Sequence, residues 1–209
     1  MDKRTKIHFI GIAGIGMSSL AEFLCKKYTI TGSDLSSNEI STKLKKKGIK
    51  VYEHQLAKNI TNQNLVIYTS AIKKNNPELV EAKKRGIKCI TRGKALGDFT
   101  RKDTNICITG THGKSTTTNY LAQILLNCGK KPSVFLGAIN TKLKTNFIYN
   151  RSSLNIIEAD ESDNSFNFLN SMYSVITNID FDHMDFYKTK KNLYFAFENF
   201  IKKTTNKVI

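Results

Sequence analysis

The sequence predicts an α/β protein built from two successive units, each with a mainly parallel sheet. Three observations carry this: apolar β-branched runs alternate with segments of helical periodicity, the connections between them are short, and a glycine-rich turn follows the first strand of each unit. In the first unit, Lys6 to Ile12 reads as a strand, Gly11-Ile12-Ala13-Gly14-Ile15-Gly16 as a turn, and Met17 to Lys27 as a helix. Tyr28 to Thr31, Ile49 to Tyr52, Leu65 to Thr69 and Ile87 to Thr91 read as further strands. Between them fall a lysine-rich helix from about Asn38 to Lys47 and a helix opened by Asn76-Pro77-Glu78. The polar stretch Thr100 to Asn105 separates the units, giving domains at 1–103 and 104–209.

The second unit begins again with a strand, Ile106 to Thr109, a glycine loop and a helix from Lys114 to about Cys128. The run VFLGAI after Pro132-Ser133, Leu154 to Ala159 and Val175 to Ile179 follow as strands, and Leu193 to Ile201 as an amphipathic helix. Lys207-Val208-Ile209 reads as the entry to another strand, so the expectation is an incomplete second domain.

Composition narrows the function classes. With 40% hydrophobic and 24% charged residues the 209-residue chain is globular rather than disordered. It has no apolar run of about eighteen residues and no signal-peptide pattern, which makes the cytoplasm the default compartment. The four cysteines are scattered without metal-ligand spacing and read as small buried hydrophobes. A net charge of +16 invites a nucleic-acid reading. Yet Lys43-Leu44-Lys45-Lys46-Lys47 and Lys83-Lys84-Arg85 sit where helices have solvated faces or C-terminal ends, and no nucleic-acid-binding motif accompanies them.

The loops carry the chemistry. The first is placed, after a strand and before a helix, where backbone amides meet a phosphate or diphosphate, with Asp34 about twenty residues on where a ribose hydroxyl would be held. The second, Gly110-Thr111-His112-Gly113-Lys114-Ser115-Thr116, has the strand-loop-helix context of a phosphate loop but a shortened glycine spacing. Lys114 supplies a charge for the β- and γ-phosphates and Ser115 a hydroxyl for Mg2+. Downstream, Glu158-Ala159-Asp160-Glu161-Ser162-Asp163 and Asp180-Phe181-Asp182-His183-Met184-Asp185 each follow an apolar strand. That places oxygen ligands, and a histidine, at the carboxyl edge of the sheet beside the phosphate loop.

HFIGIAGIGMSSLAEFL, YTSAI, TGTHGKSTTT, EADESDNSF and TNIDFDHMDFY, in this order through nearly the whole chain, resemble the muramyl ligase family, most nearly its members that join an amino acid to a sugar nucleotide. The resemblance implies a Rossmann-like domain that binds UDP-N-acetylmuramate, a central phosphate-loop ATPase domain, and a C-terminal amino-acid-binding domain absent here. It implies ATP-dependent ligation of L-alanine to the lactyl carboxylate through an acyl phosphate, in cell-wall precursor synthesis, with ATP and Mg2+. The family's own G-T-x-G-K-[ST] loop accounts for the glycine spacing.

Carried onto this sequence, the resemblance gives Gly11, Gly14, Gly16, Asp34 and Ser70 to the sugar nucleotide and the loop Gly110 to Thr116 to ATP. Lys114, Glu161 and His183 become the catalytic set, with Ser115, Glu161 and His183 as metal ligands and Glu158 the alternative to Glu161. His112 either approaches the nucleotide or stabilises the loop. TSAI for SSAI and GKS for GKT keep the hydroxyls. The missing length implies that this chain does not complete the reaction alone. Attachment of a preformed peptide, and nucleotide binding without turnover, are the alternatives.

Overall fold

The computed structural model describes residues 5–140 and 145–209. The chain packs as two compact units that divide between Ala95 and Leu96.

The first unit runs β1 (Lys6–Ile10), α1 (Ile15–Leu24), β2 (Thr29–Ser33), α2 (Glu39–Lys46), β3 (Lys50–Tyr52), a 3-10 turn (Ala57–Asn59), β4 (Leu65–Tyr68), α3 (Pro77–Lys84), β5 (Lys88–Thr91) and α4 (Arg92–Phe99), the last crossing the division. Its sheet has the order β3-β2-β1-β4-β5, and every pairing is parallel. β1 is central, with both faces covered: Ile7, Phe9 and Ile10 are fully buried, as is the polar His8 among them. Met17, Leu20, Ala21 and Leu24 recur at helical spacing along α1 and form its buried face. Each large side chain so buried contributes about 1.5–3 kcal/mol. The helix ends follow local chemistry. Asn38 and Ser41 form a reciprocal capping box on α2, while Lys43, Lys45 and Lys46 in its last turn favour the negative end of its dipole. Asn76 caps α3, with Pro77 in the first turn where no amide partner is needed.

The second unit runs β6 (Thr104–Thr109), α5 (Lys114–Asn127), β7 (Ser133–Asn140), β8 (Thr145–Ile148), β9 (Leu154–Glu158), a 3-10 turn (Ser165–Phe168), β10 (Ser171–Ile176), α6 (Met184–Tyr187), α7 (Lys190–Lys202) and β11 (Thr204–Val208). The order is β11-β10-β6-β9-β7-β8, parallel except for the β7–β8 hairpin. Ile108, Val134, Leu136 and Ile156 pack with Ala122 of α5. Leu193, Ala196, Phe197 and Phe200 form the buried stripe of α7, and Phe166 meets Phe197 edge-on and Phe200 in a stack.

Several elements differ from the sequence expectation, among them α4, α6, β8, β10 and β11. α4 occupies residues to which no element is assigned above, because Gly93 and Gly97 weaken its helical signal. Gly97 is required there, since a Cβ would lie 2.1 Å from the Phe168 carbonyl oxygen. β8 adds an antiparallel strand, and β10 begins at Ser171 rather than Val175. Its serines are satisfied, Ser171 Oγ by the Tyr173 carbonyl two residues on and Ser174 Oγ by Thr204 Oγ1 on the neighbouring β11.

Register positions the functional edges. Ile10 is level with Ser33 and Tyr68, so Gly11, Asp34 and Thr69-Ser70 leave the first sheet at one edge. Ile108 is level with Glu158, and Thr109 with Ile176, so the phosphate loop, the first acidic cluster and Thr177 leave the second sheet together. Both are carboxyl edges, where open parallel sheets place ligands.

Candidate functional site

In the first unit the glycine loop is tied from behind. The amides of Gly11 and Ile12 both donate to the Ser33 carbonyl, at 2.8 and 3.0 Å, and Gly14 N donates to Gly11 O. Asp34 Oδ2 accepts from Ala13 N at 2.8 Å, while its Oδ1 accepts from Ser36 N and Oγ. Asp34 therefore holds the loop in shape with the carboxylate that the spacing assigned to a ribose. Gly11 has φ +83°, and a Cβ there would lie 2.9 Å from Thr69 Cγ2, one residue before the exposed Ser70. Four successive loop amides are engaged inside the protein.

The phosphate loop is built differently. Gly110 has φ +130° and Gly113 φ +82°, the latter as N-cap of α5, so the backbone turns sharply out of β6 and into the helix. Lys114 Nζ lies 2.6 Å from Gly110 O, 3.2 Å from Thr111 O and 2.8 Å from Glu161 Oε1. The ammonium is folded back across its own loop. Ser115 Oγ donates to Glu158 Oε1 at 2.8 Å, and Glu158 Oε2 accepts from Gly137 N at 2.8 Å. His183 Nε2 is 3.7 Å from Glu161 Oε1.

The two carboxylates thus take separate positions. Glu158, the last residue of β9, faces the Ser115 hydroxyl; Glu161, three residues on, faces Lys114 and His183. Both belong to the constellation that the sequence brought to one edge, and Ser115 is paired with the residue held as the alternative. Burial pushes the Glu161 carboxyl up from its ordinary value, against the opposing hydrogen bond and charge of Lys114. Burial, with the charges of Glu161, Asp163 and Asp160, likewise raises the Tyr187 phenol, which stays a donor and hydrogen-bonds the Glu161 carbonyl.

The donor set suits a hard cation. Glu161 Oε2 is buried with no hydrogen-bond partner among the described residues, an acceptor whose desolvation is uncompensated by protein. Among the described residues no three His, Cys, Asp or Glu side chains converge as a ready metal centre. Mg2+ suits such a site, because it keeps waters and takes one or two carboxylates together with substrate phosphates.

His112 is exposed, with Nε2 3.8 Å from Asp180 Oδ2. Beside His183 an open cleft of about 370 Å³ is lined by Ser162, Phe181 and Asp185 among others, and Lys190 Nζ stands 3.8 Å over the Phe181 ring.

Sequence reasoning missed several contributors. Arg92 lies against the first loop, its guanidinium 3.0 Å from where a Gly16 Cβ would stand. Beneath that loop runs a buried polar chain: Glu78 accepts from Ser33 Oγ and Asn59 Nδ2, and lies 3.3 Å from His8 Nε2. Glu78 is placed by the Asn-Pro-Glu start of α3, a visible signal, but its partners are up to 70 residues away.

Both halves match family models. Residues 6–104 match the Mur ligase family catalytic domain, and residues 108–209 the Mur ligase middle domain. The chain is 44% identical over 197 residues to the UDP-N-acetylmuramate–L-alanine ligase of Aquifex aeolicus, covering 94% of this chain and 43% of that protein. The corresponding enzyme of Fusobacterium nucleatum is 42% identical over 205 residues, 98% of this chain and 43% of the relative. The solved UDP-N-acetylmuramate-alanine ligase of Thermotoga maritima superposes with a TM-score of 0.89 at 33% identity, covering 97% of this chain and 48% of that one. A solved UDP-N-acetylmuramate:L-alanyl-γ-D-glutamyl-meso-diaminopimelate ligase from Neisseria meningitides gives 0.87 at 25%, covering 96% and 68%. The chain spans less than half the length of the curated relatives it matches. With two sheets in succession, a phosphate loop facing two glutamates and a histidine, and these matches over both units, the chain belongs to the Mur ligase family.

Proposed function

We propose that this chain carries the sugar-nucleotide and ATP parts of a ligase that joins L-alanine to the lactyl carboxylate of UDP-N-acetylmuramate. The observation that carries it is the paired arrangement at the phosphate loop, Ser115 with Glu158 and Lys114 with Glu161 and His183. A free carboxylate is a poor acylating agent, so the reaction spends ATP to activate it. A lactyl oxygen attacks the γ-phosphorus, the bond to the ADP oxygen breaks, and an acyl phosphate forms. The amine of L-alanine then attacks the acyl carbon; phosphate leaves, the amine gives up a proton, and the amide remains.

Lys114 swings from its loop carbonyls and Glu161 toward the β- and γ-phosphates, where a fixed positive charge favours the charge developing in transfer. Ser115 and Glu158 would hold one Mg2+, and Glu161 with His183 a second position. The ions supply charge neutralisation on the phosphates. The first unit holds the sugar nucleotide around Gly11, Gly14, Gly16 and Ser70, with Asp34 setting the loop that receives it. The cytoplasm is the expected compartment. No helix among the described residues is long and apolar enough to cross a membrane.

The likeness to the tripeptide ligase supports a second reading, attachment of a preformed peptide to the same sugar nucleotide. Calorimetric titration of the chain with UDP-N-acetylmuramate and with Mg-ATP, using Lys114→Ala as the control, tests the common core. Binding of both, with only ATP lost in the variant, supports it; a folded chain that binds neither overturns it. Phosphate release on adding L-alanine or the tripeptide to the full-length ligase separates the two readings.

A further inference from the structure

The phosphate loop is held from outside by the start of the TNIDFDHMDFY segment, whose first two residues carry no role in the site described above. Thr177 and Asn178 directly follow β10. Thr177 Oγ1 donates to His112 O at 2.6 Å. Asn178 uses its whole side chain on the same residue: Oδ1 accepts from His112 N at 2.9 Å and Nδ2 donates to His112 O at 3.0 Å. Its main-chain oxygen accepts from Thr111 N at 3.2 Å. The Asn178 amide thus imitates a neighbouring strand and pairs with one loop residue through both donor and acceptor.

Gly110 records how close this clamp lies. A Cβ there would stand 2.2 Å from Thr177 Oγ1 and 2.8 Å from Asn178 O. The glycine that the shortened loop keeps at this point makes room for the clamp, besides allowing its φ of +130°. Five residues beyond Asn178, on the same segment, stands His183. Between them Asp180 N donates to Thr111 Oγ1 at 2.8 Å.

We propose that Asn178 is a positioning residue for the nucleotide: it fixes the His112 peptide, and through it the loop that presents Gly113, Lys114 and Ser115 to the phosphates, in one geometry with the His183 segment. This rests on the reading of the loop as an ATP site. A preformed loop binds without an ordering cost, so loosening it weakens the ligand directly.

The test is calorimetric titration of the 209-residue chain with Mg-ATP for the wild type, Asn178→Ala and Asn178→Asp, with urea unfolding of each. Asn178→Ala is expected to weaken Mg-ATP about tenfold, the equivalent of about one net hydrogen bond to the loop. Asn178→Asp keeps the shape and the acceptor, but turns the donor into an oxygen facing the His112 carbonyl and adds negative charge beside the phosphates. It is expected to bind more weakly still. A residue that only fills space would give the reverse order, with aspartate near wild type. That order, or both variants within about twofold of wild type, overturns the proposal. A wild-type chain that binds no nucleotide removes the ATP-site reading and this one with it, whereas failure confined to the variants' ranking removes this one alone.

Discussion

The two glycine loops leave central parallel strands at equivalent edges, yet they are held in different ways. The first uses its amides on its own fold: Gly11, Ile12 and Ala13 are bonded to Ser33 and Asp34, and the loop is a shaped surface. The second holds a charge, Lys114, folded onto its own loop carbonyls and the acid Glu161. Under the proposed function, the difference matches what each ligand would need. A nucleotide that is only carried needs shape and orientation, while one whose phosphoryl group is transferred needs charge that can follow it.

Breaking either loop tests that contrast. The largest effect is expected from Gly110→Ala, whose Cβ would overlap Thr177 at a backbone angle that L-residues rarely adopt. It should destabilise the second unit by about 3 kcal/mol and abolish Mg-ATP binding, while amide exchange of β1 to β5 and sugar-nucleotide affinity stay unchanged. Lys114→Ala follows, with Mg-ATP affinity falling about a hundredfold by titration and UDP-N-acetylmuramate affinity unaltered. Gly11→Ala, with φ +83° and Thr69 close by, should cost the first unit about 1–2 kcal/mol in urea unfolding and reverse the pattern, weakening the sugar nucleotide and sparing ATP.

The smallest effect sharpens the charge side of the comparison. Because the folded Glu161 carboxyl holds its proton to a higher pH than the unfolded one, the folded state binds more protons in the interval above the ordinary value of 4.5. Its contribution to stability is present below that value and is lost as pH rises through the raised one. Urea midpoints across this window should fall more steeply for wild type than for Glu161→Gln; equal slopes would show that the burial of Glu161 sets no net cost.

What the sequence made legible is what local order specifies. The parallel β1 and β6, both glycine turns, and the helix that starts at Lys114 follow from apolar runs and glycine placement within a few residues. The acids were assigned to the right sheet edge for the same reason, since each follows an apolar strand. Which glutamate meets Ser115 was not legible, because that depends on where β9 ends against β6, a register set by tertiary pairing. α4 was hidden by glycines that serve packing. The Asn178 clamp and the Glu78 chain join residues 66 and 70 positions apart through single polar side chains, which leave no periodic trace in the sequence.

The reach of these contacts also sets an order of events in synthesis. Gly110 to Ser115 leaves the ribosome together with α5, but Glu158 follows Ser115 by 43 residues and Asn178 follows His112 by 66. At ordinary elongation rates that interval lasts several seconds, long against the microseconds in which the helix itself forms. During it the nascent loop has its lysine but neither its acids nor its clamp. The turn takes its final shape only when β9 and β10 have closed on either side of β6.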